Sequence, residues 1–486
     1  MKKNFVRTRW FFTMLLFVTT MIMPSMMLAE ESITPTQPKG KGTAEKPYQI
    51  GTAAELYWFA GLVNGTLVGV EKDASANAKL MNNITVNEGV LDANKDLVSG
   101  KDFIPWTPIG TSDDDAYTGT FDGKGYTISG LYFNNPTSYY VGLFGCIGAN
   151  GKISNVGVLD SYFQFCARGG GVCGKNNNGE LQNCSNSSTV ICNMQDGTGG
   201  VCGFNSKGTV RDCINTGSVR GKATLGGVCG VNSYGTITNC FNEGTVSVTV
   251  TSFNVGGVCG SNNSGTITNC YYLSNTATHG IGGRADVSGK AEKMSIEHFE
   301  SGEVAWLLNG KGLGEQVWGQ QLGEDLYPVP GSDYKVIKAA QGDKDANGND
   351  TYWATFSNLT NDVTLSVPSD RTLNVYNATV SGGKMTLTQR NDNQVAKEEG
   401  VLLNTDGEYV NAKANETNEL AKASSDENHL VATPAEAKTV TAETGCKLYR
   451  LTYNKAEKKR RSRLLPRCGR RKKSQGDSRK GLSESI

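Results

Sequence analysis

The sequence predicts an all-β protein: a right-handed parallel β-helix, or β-solenoid, with helical caps, followed by a small β-sandwich-like domain. Three observations support this class. Glycine supplies 60 of 486 residues, nearly twice its usual share, without the G-X-Y period of collagen. A segment of 27 to 30 residues recurs almost unchanged. Short apolar runs alternate with Asp-Gly and Gly turns. Long helical bundles are therefore disfavoured.

Residues 1–29 are predicted to be a bacterial export signal peptide. Four basic residues precede an apolar run at Trp10–Met23, and Pro24–Ala29 leads into two acids. The apolar run barely reaches the ~20 residues of a membrane span, so we expect cleavage and no transmembrane segment in the mature chain. Residues 30–50 are predicted to be a polar linker, and the mature protein is predicted to be secreted or exposed at the cell surface.

Residues 51–290 are predicted to form the solenoid, which begins with one helix. Thr52 and Glu55 have the spacing of a capping box, in which each side chain satisfies a free backbone N–H at a helix start. Apolar residues then recur at helical spacing up to Gly65, a plausible stop. The pattern predicts a helix over residues 53–64.

The repeats occupy about residues 141–272 and centre on Gly-Gly-Val-Cys-Gly. An Asn follows the motif cysteine by three residues, and a second cysteine follows it by eleven. These positions define a predicted structural ladder: Cys173, Cys202, Cys229, Cys259; Asn176, Asn205, Asn232, Asn262; and Cys184, Cys213, Cys240, Cys270. An earlier, degenerate copy has Phe144 and Val156 in place of the cysteines. Buried apolar volume is therefore the requirement at both positions.

Each repeat is interpreted as one rung of three strands, with equivalent residues stacked at the ~4.8 Å strand spacing. Glycines would allow the tight corners, and stacked Asn side chains would hydrogen-bond along the ladder. Ile237 and Cys240 are an odd number of residues apart, so simple alternation cannot bury both. We therefore expect a left-handed bend at Asn239 and at its equivalents Asn183, Asp212 and Asn269.

The sequence G-G-V-C-G-x-N-x-x-G-T-I-T-N-C-x-N-x-G-T-V resembles the GLUG repeat of bacterial surface proteins. The resemblance covers roughly residues 44–290 and implies a parallel β-helix on exported, often adhesin-like proteins, with no reaction assigned to the repeats. Some relatives carry zinc peptidases that cleave immunoglobulin A. This sequence has no H-E-x-x-H motif, so that activity is not carried over. Cysteine replaces the usual aliphatic core residue.

Residues 291–332 are predicted to be a helical cap and connector, because Ile296–Leu308 has a helical pattern that could cover the last rung. Residues 333–454 are predicted to form the β-sandwich-like domain, with Ser381-Gly382-Gly383 as a hairpin turn. Its strand candidates are Tyr352–Phe356, Val363–Val367, Thr372–Tyr376, Lys384–Thr388, Gly400–Leu403 and Lys447–Thr452.

The ladder cysteines are interpreted first as buried thiols. Disulfides between rungs and metal binding are the alternatives, the latter disfavoured because neither C-x-x-C nor histidine accompanies the ladder. No cofactor and no metal is predicted. Weak calcium candidates are Asp343, Asp345 and Asn347, which match the first half of an EF-hand loop. Ala354 stands where a bidentate Glu is required, so a polar hairpin is the preferred interpretation.

No catalytic residues are predicted, and the weak candidates are Asp113, Asp114, Asp115 and Asp122. β-Helix enzymes that act on polysaccharides place carboxylates on a rung face, but a triple Asp in a loop is usually solvated. Weak candidates for sugar binding are Tyr139, Tyr140, Tyr271 and Tyr272, which would form an aromatic platform. The alternative for these aromatics is that they fill the solenoid core.

Residues 455–486 form a basic tail with 13 Lys or Arg and three acids, predicted to be disordered. Such a block is typical of nucleic-acid or anionic-surface binding. We interpret it instead as a frameshift product, because one back-translation of Arg461–Arg471, read one base later, encodes a strand-like segment. Residues 30–454 carry 31 basic and 44 acidic side chains. This acidic body disfavours a nucleic-acid partner.

The sequence therefore predicts an exported, non-catalytic surface protein with an adhesin-like or scaffold role towards a glycan or a host surface protein. The alternative is a β-helix lyase or glycoside hydrolase acting on polysaccharide. A groove lined by acids, a basic residue and aromatics would favour the enzyme, whereas a surface of Asn, Thr and Ser would favour binding. The oligomeric state is left open.

Overall fold

The fold is taken from a computed structural model. It describes residues 32–430, apart from 195, 250–253, 313–315, 359, 382–383, 425–426 and 429, together with 451–454 and 459–462. The predicted signal peptide, Cys446, Cys468 and most of the basic tail lie outside these residues. The described chain forms a β-solenoid of about eight turns, followed by antiparallel sheets.

Four parallel sheets run along the solenoid, numbered in the order in which each repeat visits them. Sheet 1 contains Tyr139–Val141, Ala167–Gly169, Thr198–Gly199, Leu225–Gly226 and Val255–Gly256. Sheet 2 contains Phe144–Ile147, Cys173–Asn177, Cys202–Ser206, Cys229–Ser233 and Cys259–Asn263. Sheet 3 contains Tyr48–Ile50, Ala78–Leu80, Thr120–Asp122, Lys152–Ser154, Glu180–Gln182, Thr209–Arg211, Thr236–Thr238 and Thr266–Thr268.

Sheet 4 is the most irregular. Its main path contains Ile84–Thr85, Thr127–Ser129, Gly157–Phe165, Ser185–Cys192, Ile214–Asn215, Phe241–Asn242, Cys270–Leu273 and Ala291–Met294, and Tyr132–Asn134, Ser218–Gly221 and Val246–Val248 pair beside it. The predicted parallel solenoid is confirmed. The expectation of three strands per rung is wrong, because the Gly-Gly pair bends the chain between two short strands. Strands Tyr48–Ile50 and Ala291–Met294 lie just outside the predicted 51–290 range.

The repeats stack in register. Cys202 pairs with Cys173 below it and with Cys229 above it, and Thr236 pairs with Thr209 and Thr266 in the same way. The strands of successive rungs pair in parallel in each of the four sheets. Each position in a repeat therefore has its own equivalent as its neighbour one rung away.

The bend predicted near the second cysteine is confirmed. Asn183, Asp212, Asn239 and Asn269 have φ angles of 51°, 56°, 52° and 51°, in the left-handed region that Asn and Asp tolerate better than other side chains. The bend lets Ile237 and Cys240 both point inward, and both are fully buried.

The motif glycines are required because neighbouring segments of the chain approach them closely, and not because their backbone φ angles are left-handed. A Cβ on Gly200 would lie 2.1 Å from Cγ of Asn215, and one on Gly203 would lie 2.5 Å from the backbone N of Gly169. At the corner before sheet 3, the left-handed residue is the one before the glycine: Asn178, Lys207, Tyr234 or Ser264. The expectation that glycine itself supplies the corner angle is wrong there.

One helix, α1 at Ala53–Asn64, covers the first rungs, as predicted. Its capping box is complete, since Thr52 Oγ1 accepts from Glu55 N at 3.3 Å and Glu55 Oε2 accepts from Thr52 N at 3.1 Å. Gly65 ends it with φ of 70°. Phe59 is fully buried against the rings of Tyr117 and Phe121.

Two short helices, α2 at Ile296–Glu300 and α3 at Glu303–Leu308, cover the other end. The predicted helical segment is interrupted because Gly302 has φ of 88°. Phe299 and Leu308 pack with Trp318 against Phe241 and Tyr271 of the last rungs. Asn269 Nδ2 also donates to the carbonyls of Leu307 and Leu308, at 3.0 and 3.3 Å. The helical cap is therefore fixed to the solenoid by apolar packing and by hydrogen bonds.

Beyond a two-stranded pair, Trp318–Gly319 with Val329–Pro330, two antiparallel sheets follow. One contains Tyr334–Lys338, Tyr409–Ala414, Val363–Ser366 and Gln394–Val395; the other contains Ala340–Gln341, Tyr352–Ser357, Gly400–Thr405, Leu373–Ser381 and Lys384–Gln389. Both contribute to one apolar core, for example through Val363 and Leu403, so they form a two-layer sandwich.

The structure adds strands that the sequence pattern missed. Tyr409–Ala414 pairs with both Tyr334–Lys338 and Val363–Ser366 in the centre of its sheet. Of the candidate Lys447–Thr452, the described part belongs to a strand at Leu451–Asn454, which forms a hairpin with Lys459–Ser462. Four residues of the tail that was predicted to be disordered are thus in a strand.

Gly200→Ala tests the role of the motif glycines. Because the new methyl group would overlap Asn215 and the Gly227 carbonyl, we expect a loss of unfolding free energy of at least about 2 kcal/mol. Gly51→Ala is the matched control, since its nearest atom would be 3.2 Å away. Equal thermal unfolding midpoints for the two variants would contradict this account of the motif.

Candidate functional site

The ladder cysteines form two columns of buried free thiols. All eleven described cysteines are free and buried, and the ladder cysteines are at most 1 % exposed. The Cys229 thiol donates to the Val231 carbonyl at 3.2 Å, and the Cys240 thiol donates to the Thr238 carbonyl at 3.2 Å. Burial raises the pKa of both thiols well above the ordinary value. The columns therefore consist of buried free thiols that fill core volume.

Among the described residues, no group of three or more His, Cys, Asp or Glu side chains is arranged to hold a metal ion. The same residues contain no helix with the length and hydropathy of a membrane span.

The predicted Asn ladder is a continuous column of amide hydrogen bonds. Nδ2 of Asn176, Asn205 and Asn232 donates to Oδ1 of the next ladder Asn at 2.9, 2.8 and 2.8 Å. Each Nδ2 also donates within its own corner, for example from Asn205 to the Gly208 carbonyl at 3.0 Å. These side chains are fully buried apart from the last, Asn262. Their polar groups are thus satisfied inside the core.

A second Asn column escaped the sequence analysis. Asn186 donates to Asn215 at 2.8 Å, and Asn215 donates to Asn242 at 2.7 Å. Both donors lie against the second glycine of a motif, Gly171 and Gly200. The signal was available in the sequence, since each of these Asn residues follows the second cysteine by two positions.

The bend residues form a third column, and Asp212 interrupts it. Asn183 donates to Asn155 at 3.1 Å, and Asn239 donates to Asp212 at 3.1 Å. A carboxylate cannot donate, so Oδ1 of Asn183 is left without a hydrogen-bond partner although it is buried. Burial raises the pKa of Asp212, whose side chain is 3 % exposed and pairs with Arg211 at 3.0 Å.

The acidic candidates are separated and paired with cations. Both carboxylate oxygens of Asp113 accept from Lys175, at 2.6 and 2.7 Å, while Asp115 pairs with Lys72 and Asp122 with Lys124 at 2.8 Å. Partial burial opposes ionisation of Asp113 and Asp122, but the hydrogen bonds that they accept hold their pKa values below the usual range. Hydrogen bonds from Lys72 and Ser112 do the same for Asp115.

Asp114 is exposed. Asp113, Asp115 and Asp122 therefore lack the raised pKa that a general acid at neutral pH requires.

The four candidate tyrosines do not share one surface. Tyr271 and Tyr272 are 2 % and 0 % exposed, and Tyr272 donates to Asp286 at 2.7 Å. Both fill the end of the solenoid, because they occupy the last repeat under α2 and α3. Tyr139 is 54 % exposed and lies edge-on to Tyr140, with ring centroids 6.5 Å apart. The exposed part of the predicted platform is thus centred on Tyr139.

The candidate calcium loop is a hairpin loop between Ala340–Gln341 and Tyr352–Ser357. Asp345 Oδ1 accepts from the backbone N–H groups of Asn347 and Asn349, both at 2.8 Å. These bonds lower the pKa of Asp345. The carboxylate that would bind calcium is therefore turned towards the backbone of its own loop.

The profile of the GLUG motif matches residues 222–247, one full rung of the stack. The repeat is the GLUG motif. This chain is similar to halomucin of Haloquadratum walsbyi, which is 32 % identical over 164 residues, or 32 % of this chain and 2 % of halomucin. A candidate Gly-rich membrane protein of Evansella cellulosilytica is 30 % identical over 152 residues, or 31 % of this chain and 15 % of that protein. The chain thus spans a small part of both relatives.

Among solved structures, a candidate immunoglobulin A1 protease from Bacteroides ovatus aligns with a TM-score of 0.42 and 19 % identity. The alignment covers 60 % of this chain and 94 % of that one.

Asp212→Asn is expected to stabilise the protein, because the amide would donate to Asn183 Oδ1 and complete the third column. Since the folded-state pKa of Asp212 is raised, its ionised form weakens folding above that pKa, and the penalty disappears as the pH falls and the group protonates. The gain in melting temperature should therefore be larger at pH 8 than at pH 4. Glu180→Gln, which also removes a carboxylate beside Arg211, is the control and should show no gain.

Thiol titration tests the cysteine columns. Denatured, unreduced protein should present at least the eleven described thiols to an aromatic disulfide reagent, whereas the folded protein should react slowly because the sulfurs are buried. A count near zero after denaturation would mean that the columns are oxidised.

Proposed function

We propose that this chain is an exported surface protein without catalytic activity, in which the GLUG solenoid is a rigid scaffold and binding occurs at its outer surface. The observation that carries the proposal is the state of the candidate carboxylates: Asp113, Asp115 and Asp122 each face a lysine and have lowered pKa values. Hydrolysis of a glycosidic bond requires two cooperating carboxyl groups, one of them protonated.

The interior supports a scaffold role. Three columns of hydrogen-bonded polar side chains and two columns of thiols run along the stack. The repeated buried positions therefore contact their equivalents in neighbouring rungs. The outward positions of sheet 3 in the last two rungs are threonines: Thr236, Thr238, Thr266 and Thr268. A surface of hydroxyl and amide groups is suited to hydrogen-bonded recognition.

The names halomucin and Gly-rich membrane protein belong to relatives of which this chain covers 2 % and 15 %. They are in keeping with a role at or outside the cell surface. Export itself rests on the N-terminal sequence pattern.

A glycan array and a polysaccharide depolymerisation screen together test the proposal. We expect the mature chain to bind one or more glycans and to release no reducing ends or unsaturated products from any polysaccharide. Depolymerisation that Asp113→Asn or Asp122→Asn abolishes would establish the alternative, a β-helix enzyme. Lys152→Gln on sheet 3 should leave either result unchanged and serves as the control.

A further inference from the structure

A cleft of about 420 Å³ lies on the outer face of sheet 4, within the size range of small-ligand sites, roughly 300–1,000 Å³. Its walls come from the loop at Asn94 and Lys95 and from the two rungs that contain Ser218, Arg220, Glu243 and Thr245. The lining residues have polar or glycine side chains throughout, with no aliphatic or aromatic one. The cleft is therefore suited to a ligand that carries many hydrogen-bonding groups.

The loop that closes the cleft is anchored in place. Val90, Leu91 and Tyr162 form a small apolar core with Leu97 and Phe103. Thr189 Oγ1 donates to the Lys95 carbonyl at 2.6 Å, and Arg220 pairs with Asp96 and donates to Ser218 Oγ at 2.9 Å. The cleft therefore exists before a ligand arrives, which limits the ordering cost of binding.

Lys95 is the cation of this cleft that lacks an acidic partner among the described residues. Its Nζ contacts Ser187 Oγ at 3.4 Å, whereas Arg220 is paired with Asp96. The Lys95 ammonium lines the cleft, and no described carboxylate pairs with it. It supplies a position for one negative charge of a ligand.

The opposite wall supplies hydrogen-bonding groups. Ser218 Oγ and Thr245 Oγ1 lie 3.2 Å apart. The Glu243 carboxyl, by contrast, is buried beside Tyr327, and burial raises its pKa to about 7. The two hydroxyls match the hydroxyl groups of a sugar, which both donate and accept.

We propose that this cleft binds an acidic sugar, a uronate unit of a polysaccharide, with its carboxylate at Lys95 and its hydroxyl groups at Ser218 and Thr245. The inference rests on the proposed function and names its site and ligand class. A peptide is disfavoured because no aliphatic or aromatic side chain lines the cleft to hold a peptide's apolar side chains.

Calorimetric titration of the mature chain with a short oligogalacturonate and with its methyl ester tests the inference. The ester keeps the size and hydroxyl groups but removes the charge, so it should bind at least about tenfold more weakly, as expected for loss of a charge-assisted hydrogen bond. Lys95→Gln should weaken binding of the acid by a similar factor, and Lys95→Arg should restore it.

Lys152→Gln removes a cation from sheet 3 and should leave the affinity unchanged. Equal binding of acid and ester, equal effects of Lys95→Gln and Lys152→Gln, or no binding of the acid would overturn the inference. If the unmodified chain binds other glycans of the array but not the acid, the cleft is wrong and the binding role stands. Cleavage of the oligogalacturonate would instead refute the non-catalytic role.

Discussion

The structure depends on the stacking of equivalent residues from successive rungs at the spacing of paired strands, about 4.8 Å. At this distance a buried polar side chain meets its own copy above and below, so it must be able to donate in one direction and accept in the other. Asn satisfies both demands with one amide, and Asn176, Asn205 and Asn232 form such a column. Asp212 shows the converse, since its carboxylate leaves Asn183 Oδ1 unpaired.

The same spacing limits side-chain volume. Where the chain folds back between sheets 1 and 2, the backbones and the Asn columns lie so close that a single methyl group would overlap them, as at Gly200 and Gly203. The thiols of Cys202 and Cys229 are small enough to stack directly in the core beside these glycines. The Gly-Gly-Val-Cys-Gly motif thus specifies how large a side chain can be at each of its positions.

Much of this architecture could be predicted from the sequence because the same local constraints on backbone and side chains recur in each repeat. The bend at Asn239 followed from the odd spacing between Ile237 and Cys240, and the first Asn column followed from its period. The role of Gly200 could not be predicted, because its contact, Asn215, lies in sheet 4 of the same rung, and the contact depends on how closely sheets 1 and 4 approach each other. The cleft at Lys95 was invisible for the same reason: Arg220 contacts a residue 124 positions away, Asp96.

The ladder also restricts where recognition can be placed. A repeated position that is buried and hydrogen-bonded to its copies cannot change without disturbing the rungs on both sides, because each side chain serves two neighbours. Segments outside the repeat period carry no such constraint, and the loop around Lys95 is one of them: it lies across sheet 4 and contacts rungs that follow much later in the chain. A solenoid of this kind can therefore keep its interior uniform and acquire a specific site where a non-repeated loop crosses the stack.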